Sequence, residues 1–290
     1  MESINIESSS ESSNVNAPPP PKLPTRREQV MPVVSSVLST GIFIAVIIWV
    51  VSSSEQWPVV QKQFFSLEAM RESFPDVLRG FWLNLQIFFV AEIFITIISL
   101  FLAIARSLKN PIAMPIRFAA IVFIDAVRGV PALLLILLFG FGVPALRLPG
   151  FPSSALFWGT VALVISYSAY TAEVYRAGME AVHNSQHAAA RALGLTYWQT
   201  LRYAIIPQAV RNVLPALLNG AVSLQKDVAL LSVIGVREAV RASQIYTART
   251  FNYSSLIVAA ILFLIASVPL ARLTDRISKR DQERRLQSTR

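Results

Sequence analysis

Apolar residues run along this chain in six long blocks, separated by polar stretches that carry most of its arginines. The first block, residues 33–51, has no ionisable side chain and is long enough, at about 1.5 Å per residue, to cross a hydrocarbon layer about 30 Å thick. Residues 80–105 form the second block, 155–175 the fourth, 213–234 the fifth and 256–273 the sixth. The third, residues 112–141, is too long for one upright crossing, and Asp125, Arg128, Gly129 and Pro131 interrupt it near its middle. It reads as one long helix, tilted or kinked at Pro131. The pattern predicts an all-α integral membrane protein of about six transmembrane helices.

The polar stretches set the expected organisation. Residues 1–30, rich in Ser, Glu, Asn and Pro, cannot bury a core and read as a disordered tail with a short polyproline stretch. With some thirty polar residues ahead of the first apolar block and no small-x-small site after it, this is no ordinary signal peptide. Residues 31–52 make a first span, 76–276 the main membrane domain, and 277–290 a basic tail. Lys22, Arg26 and Arg27 precede the first span, Arg106 and Lys109 close the second, and Arg272, Arg276, Lys279, Arg280, Arg284, Arg285 and Arg290 follow the last. By the positive-inside rule both termini are cytoplasmic, and residues 52–79 are a polar outer segment. Arg237, Arg241 and Arg249 depart from the rule; they fit either an interfacial helix or an outer docking surface.

Between the fourth and fifth spans, residues 170–207 are polar, basic and full of helix punctuation. Ser185 is placed to cap a short alanine-rich helix over residues 186–193, and Gly194 to end it in the left-handed conformation. Thr196 and Gln199 have the T-x-x-Q spacing of a capping box that starts a second helix. The expectation is a helix–Gly–helix elbow projecting into water.

Composition narrows the chemistry. With 54% hydrophobic and 15% charged residues, the chain is too apolar for an ordinary soluble domain. The net charge of +9 lies mostly just beyond apolar blocks, and no basic stripe with interleaved aromatics points to nucleic acid. No cysteine is present for disulfides or thiolate metal sites. His183 and His187 have i,i+4 spacing, but Asn184 and Ser185 are expected to break the helix between them and no third ligand is near, so no metal is expected. No G-x-x-x-x-G-K-[ST] phosphate loop occurs, so ATP chemistry would have to come from another polypeptide.

Charges inside the spans are the remaining signal: Glu92 in the second, Asp125 and Arg128 in the third, Lys226 and Asp227 in the fifth. Each costs roughly 3 kcal/mol at mid-bilayer, so each must face the bundle interior and find a partner. Asp125 and Arg128, one helical turn apart, fit a mutual ion pair. They fit equally a polar lining for a zwitterion, with Arg128 gripping a carboxylate through its planar fork and an acid meeting the ammonium. Glu173 and Arg176, near the inner end of the fourth span, fit bracing of the elbow.

The run Gln186-His187-Ala188-Ala189-Ala190, then Arg191-Ala192-Leu193-Gly194, nine residues, and Ala204-Ile205-Ile206-Pro207 resembles the EAA loop of permease subunits of ATP-binding-cassette importers. Tyr170-Thr171-Ala172-Glu173-Val174-Tyr175-Arg176, Pro207-Gln208-Ala209 and Arg128-Gly129-Val130-Pro131-Ala132-Leu133-Leu134 narrow the resemblance to the polar amino-acid uptake branch. Ala188 stands where that family usually has glutamate, Ser185 where it usually has glycine, and Val228-Ala229 where Thr-Ser is common. The resemblance implies a five-helix importer core plus one N-terminal span. The elbow would be a coupling helix, with Ser185, Gln186, Ala188, Ala189, Ala190, Arg191, Leu193, Gly194 and Leu195 meeting an ATPase. It further implies two ATP-binding subunits that hold the ATP and Mg, no cofactor on this chain, and a second permease subunit, the same chain or a related one. An extracytoplasmic solute-binding protein would deliver the amino acid, and the spans would contact membrane lipid. An ATPase-independent secondary transporter or channel is the alternative; a membrane-embedded enzyme is disfavoured because no catalytic constellation is present.

The charge rule yields a direct test of topology. A cysteine placed at Ser278 in this cysteine-free chain should resist an impermeant thiol reagent in intact cells and react only after lysis. Labelling of intact cells would invert the topology.

Overall fold

The computed structural model describes residues 26–108, 110–182 and 184–288, and these form helices with no strand among them. The described residues fall into two separately compact parts, divided between Pro58 and Val59. The first contains α1 (Arg26–Ser52), which begins inside the stretch expected to be a tail; residues 1–25 of that stretch lie outside the described residues. Val37, Phe43 and Trp49 of α1 are all exposed, the surface of a helix suited to lipid.

In the second part, α2 (Trp57–Phe64) leads into α3 (Leu67–Ser107), a helix of 41 residues. The polar outer segment expected over residues 52–79 is largely helical. The Ser66 hydroxyl caps α3 by accepting from Ala69 N–H at 3.3 Å, Glu68 sits in the first turn, and no glycine occurs before Gly80. Its buried stripe, Ala69, Ser73, Val77, Phe81, Asn84, Phe88, Ala91, Ile95 and Ser99, recurs at helical spacing. Its exposed side is Trp82, Phe89, Ile93, Ile97 and Phe101. Small and polar residues inside with large apolar ones outside is the inverse of a water-soluble helix, and it fits packing in lipid.

The third apolar block is not one kinked helix. Its main segments are α4 (Met114–Gly129) and α5 (Ala132–Leu137), and the chain bends by 101° between them. Pro131 disfavours the helical conformation at the residue before it, and Val130 is extended at φ −106°, ψ 131°. Pro131 itself is extended, and its carbonyl starts α5 by accepting from Leu134 and Leu135 N–H. A π-turn at Leu138–Gly142 and α6 (Val143–Ala145) complete the segment.

Next come α7 (Ala155–Glu180), the elbow helices α8 (Asn184–Ala192) and α9 (Tyr197–Thr200), and α10 (Ile206–Asp227). The fifth span does not begin afresh near residue 213. Helical structure runs unbroken from Tyr197 to Ile234, through a π-turn at Leu201–Ile205 and a 3₁₀ segment at Val228–Ile234. Pro207 has no N–H to return to Tyr203, and Ile206 N–H reaches back five residues to the Leu201 carbonyl. After α11 (Ala239–Thr250), α12 (Ser254–Ser288) continues as helix into the expected basic tail. Among the described residues five helices are long and apolar enough to cross a membrane, six if the bent pair is one span. The chain is an all-α integral membrane protein.

α7 lies at the centre, packed against α3, α4, α5 and α10, and Ala162, Leu163, Ala169 and Ala172 on it are fully buried. At the end far from the elbow, α11 is clamped to α3. Buried Glu238 caps α11 by accepting from Val240 and Arg241 N–H, and its Oε2 also accepts from Asn84 Nδ2 at 3.0 Å. Asn84 Oδ1 in turn accepts from Ala239 N–H. Burial pushes the Glu238 carboxyl above the ordinary carboxylate range, while those three donors pull it back. Gly80 permits this approach, since a Cβ there would lie 2.6 Å from the Glu238 carbonyl carbon.

Gly80→Leu should therefore force α3 and α11 apart and cost about 1–3 kcal/mol or more, read as a fall in the unfolding temperature of the detergent-solubilised protein. Gly220→Ala, whose Cβ would meet nothing within 4 Å, should be neutral or slightly stabilising. Equal responses at the two glycines would remove the packing argument.

Candidate functional site

Two hollows mark the bundle. The larger, about 720 Å³ between α3 and α12, is lined by Leu78, Phe81, Trp82, Leu85, Leu262, Ile265 and Ala266 with Arg79. It offers almost nothing to recognise a polar solute. The second, about 380 Å³, lies between α5, α7 and α10, within the size range of small-molecule sites. Ser166, Tyr167, Tyr170, Thr171 and Val174 line it from α7, Ala216, Leu217, Gly220, Ser223 and Asp227 from α10, and Ala132 from the first turn of α5.

The polar groups of this cavity are held by the helices that carry them. Tyr167 donates its hydroxyl proton to Asp227 Oδ2 at 2.7 Å, joining α7 to α10. Tyr170 donates to the Arg128 carbonyl at 3.2 Å, satisfying an acceptor that the break after α4 leaves free. The Ser166 residue is 1% exposed, lines the cavity, and its Oγ has no partner among the described residues.

One turn further along α7 lies a charged cluster. Arg176 Nε donates to Glu173 Oε2 at 3.0 Å, and Arg128 Nη1 lies 3.8 Å from the same oxygen. Arg106 Nη1 is 3.2 Å from Oε1, an ion pair without hydrogen-bond alignment. Arg106 also donates to Asp125, and Arg176 to Glu180. Glu173 thus binds α3, α4 and α7 together, three arginines around one half-buried carboxylate. The Arg128 guanidinium also lies 5.7 Å from the Tyr170 ring centroid.

The sequence-predicted residues fall in different places. Asp227 lines the cavity. Arg128 stands behind Tyr170 at its rim. The expected Asp125–Arg128 pair is not among the ion pairs of the described residues; both lie on α4, where Arg128 reaches Glu173 on α7 and Asp125 reaches Arg106 on α3. Lys226 is exposed and does not line the cavity. Glu92 is half-buried on α3, does not line the cavity, and has no ion pair or hydrogen bond among the described residues. Sequence reasoning missed Ser166, Tyr167, Thr171 and Ser223. Their signal was present as polar positions at helical spacing on two apolar spans.

The elbow has the expected caps with one shift. α8 begins at Asn184, so Ser185 lies in its first turn and not at its cap; His183 lies outside the described residues. Gly194 is left-handed at φ +75°, with Gly194 N–H on the Arg191 carbonyl and Leu195 N–H on the Ala190 carbonyl, the paired bonds of a Schellman motif. Thr196 and Gln199 form both halves of the capping box. Ser185, Gln186, Ala188, Ala189 and Arg191 are exposed, as are Leu193 at 79%, Trp198 at 59% and Tyr203 at 67%; Ala190 is buried and Leu195 half-buried.

A membrane bundle with a polar cavity among its spans has the build of a solute permease. Residues 79–281 match the family described as binding-protein-dependent transport system inner membrane component. The probable amino-acid ABC transporter permease protein YckA of Bacillus subtilis is 33% identical over 225 residues, covering 78% of this chain and 95% of that one. The glutamine transport system permease protein GlnP of Escherichia coli is 31% identical over 221 residues, 74% of this chain and 97% of its own. A solved structure, an amino acid ABC transporter with histidines, superposes with a TM-score of 0.66 at 32% identity, covering 74% of this chain and 98% of that one. The chain belongs to this family, among its amino-acid ABC transporter permeases.

Removing the central carboxylate should expose the role of the cluster. Glu173→Gln should destabilise the solubilised protein by about 2–3 kcal/mol, below the range for fully buried pairs because the arginines keep partial access to solvent. Asp125→Asn, at a side chain 57% exposed, should cost under about 1 kcal/mol. Equal losses in thermal or denaturant unfolding would contradict Glu173 as the node.

Proposed function

We propose that this chain is the permease subunit of an ATP-driven importer, passing a polar or charged amino acid across the cell membrane through the cavity between α5, α7 and α10. Two ATP-binding subunits, which hold the ATP and Mg, dock on the elbows of this chain and of a second permease, the same chain or a related one. An extracytoplasmic binding protein delivers the solute, and both termini lie in the cytoplasm. Arg128 takes the solute's carboxylate. At 3.8 Å it is the most loosely held of the guanidiniums on Glu173, and at 41% exposure the most accessible.

The observation that carries this reading is the continuity of the elbow with the cavity. α8 follows directly on α7, and α9 runs without interruption into α10, so both helices that supply most of the lining end in the elbow. A partner gripping Leu193, Tyr197 and Trp198 would turn both lining helices together. Ala188, exposed where the family usually has glutamate, leaves that grip to shape and apolar contact. An ATPase-independent transporter has no use for a doubly capped elbow of this kind.

Gly194→Val tests the coupling. A β-branched residue at φ +75° costs on the order of 1–2 kcal/mol and misdirects α9. Membrane insertion should persist, while co-purification of the ATP-binding subunits or solute-stimulated hydrolysis should fall. Unchanged hydrolysis and uptake would remove the elbow from the mechanism.

A further inference from the structure

One side of α12 carries two kinds of surface in succession. Leu262, Ile265, Pro269, Arg272, Arg276 and Arg280 follow at steps of three or four residues, so they share one face of the helix. Buried Thr274 and half-buried Ser278 mark the opposite side, turned into the bundle. The first part of the shared face is apolar, and Leu262 and Ile265 line the hollow of about 720 Å³ between α12 and α3. The second part is cationic. Arg272, Arg276 and Arg280 are exposed, as is Lys279 beside them, and none of the four has an ion pair with a described side chain. Asp275, also exposed, is the one acid between Arg272 and Arg280. Ser254, at the head of α12, accepts from Ser66 N–H at the end far from the elbow, so the helix reaches these cations as it approaches the elbow end.

We infer that this face binds an anionic phospholipid of the leaflet on the elbow side. The headgroup phosphate sits among Arg272, Arg276 and Arg280, whose planar forks suit phosphate oxygens. One acyl chain runs past Pro269 and Ile265 into the hollow against α3. The spacing fits: the ten residues from Leu262 to Arg272 rise about 15 Å, half of a hydrocarbon layer about 30 Å thick. A zwitterionic lipid carries its own ammonium beside the phosphate and gains less from four cations. An acidic protein surface would answer the charges but leave the apolar part of the face and the hollow uncovered.

Trp82 lines the same hollow and serves as the reporter. The full chain, purified with any subunits that accompany it, is reconstituted in phosphatidylcholine bilayers. These are doped with phosphatidylglycerol or phosphatidylethanolamine brominated on the acyl chains, and the signal of Trp82→Phe is subtracted. Phosphatidylglycerol should quench Trp82 at a mole fraction at least about tenfold lower than phosphatidylethanolamine. Each of Arg272→Gln, Arg276→Gln and Arg280→Gln should weaken that preference by about fivefold, while the three corresponding lysine changes should keep most of it. Ala266→Phe leaves every charge in place, fills the hollow and should reduce quenching by phosphatidylglycerol. Equal quenching by the two lipids, a preference that survives the triple glutamine change, or quenching untouched by Ala266→Phe would overturn the inference. Displacement of the lipid by soluble glycerol phosphate at matched concentration would also overturn it, leaving a site for free phosphate. Loss of an accompanying subunit in the glutamine variant, with the lipid preference intact, would assign the arginines to a protein partner instead.

Discussion

A carboxylate removed from water inside a membrane protein needs hydrogen-bond donors or cations around it, and Glu173 meets that demand with guanidiniums from three helices. The rest of the bundle is arranged around this constraint. Arg106 ends α3, Arg128 ends α4, and Arg176 lies one turn along α7, so satisfying Glu173 fixes where all three helices converge. The break at Gly129–Pro131, set by Pro131, follows immediately on Arg128, and α5 departs at 101°. Tyr170 completes the junction by donating to the Arg128 carbonyl. The cavity opens immediately beyond, framed by the first turn of α5 and by the next residues of α7.

The two ends of the bundle are secured by different chemistry. At the far end, hydrogen bonds without a cationic partner dominate: Asn84 donates to Glu238 and accepts from Ala239 N–H, joining α3 to α11, and Ser243 and Ser255 each donate to the other's carbonyl. Gly80 and small side chains bring those helices close, which strengthens dispersion and excludes lipid from the polar groups. At the elbow end, ion pairs of partly exposed side chains predominate. Arg106 is shared between Glu173 and Asp125, and Arg176 between Glu173 and Glu180, so each of these two arginines keeps a second acid in reach. Rigidity at one end and shared pairing at the other suit a helix bundle that rocks.

Local chemistry was readable from the sequence, and tertiary choices were not. The caps of the elbow, Gly194 and the Thr196–Gln199 box, depend on residues a few positions apart, and both formed as expected. Ser185 missed its place by one turn position because Asn184 also tolerates the helix start. Residues 52–79 read only as a polar outer segment, and polarity does not prevent helix formation where a cap and good helix formers are present, as at Ser66 and Glu68. The partner of Arg128 was beyond local reasoning. A residue one turn away on its own helix was the nearest candidate in sequence, and only the packing of α4 against α7 shows that Arg128 pairs with Glu173, 45 positions later. Of five ionisable residues marked for the solute, one lines the cavity; its neutral polar residues, Ser166, Tyr167, Thr171 and Ser223, were passed over because charge is the louder signal in an apolar span.

The helical run from Tyr197 to Ile234 shows how little motion the proposed coupling needs. At about 1.5 Å per residue it is a rod of roughly 55 Å, with Asp227 about 45 Å from its first residue. Its weak points are the π-turn before Pro207 and the 3₁₀ segment after Asp227, where the hydrogen-bond register changes without the backbone separating. Between them Gly220, Ser223 and Asp227 keep fixed spacing along one face of α10. A displacement applied at Tyr197 and Trp198 would therefore tilt that face as a unit against α7. The Tyr167–Asp227 bond, 2.7 Å long and bridging the two helices, is the first contact such a tilt would stretch. Opening it would release the Asp227 carboxylate into the cavity that both residues line.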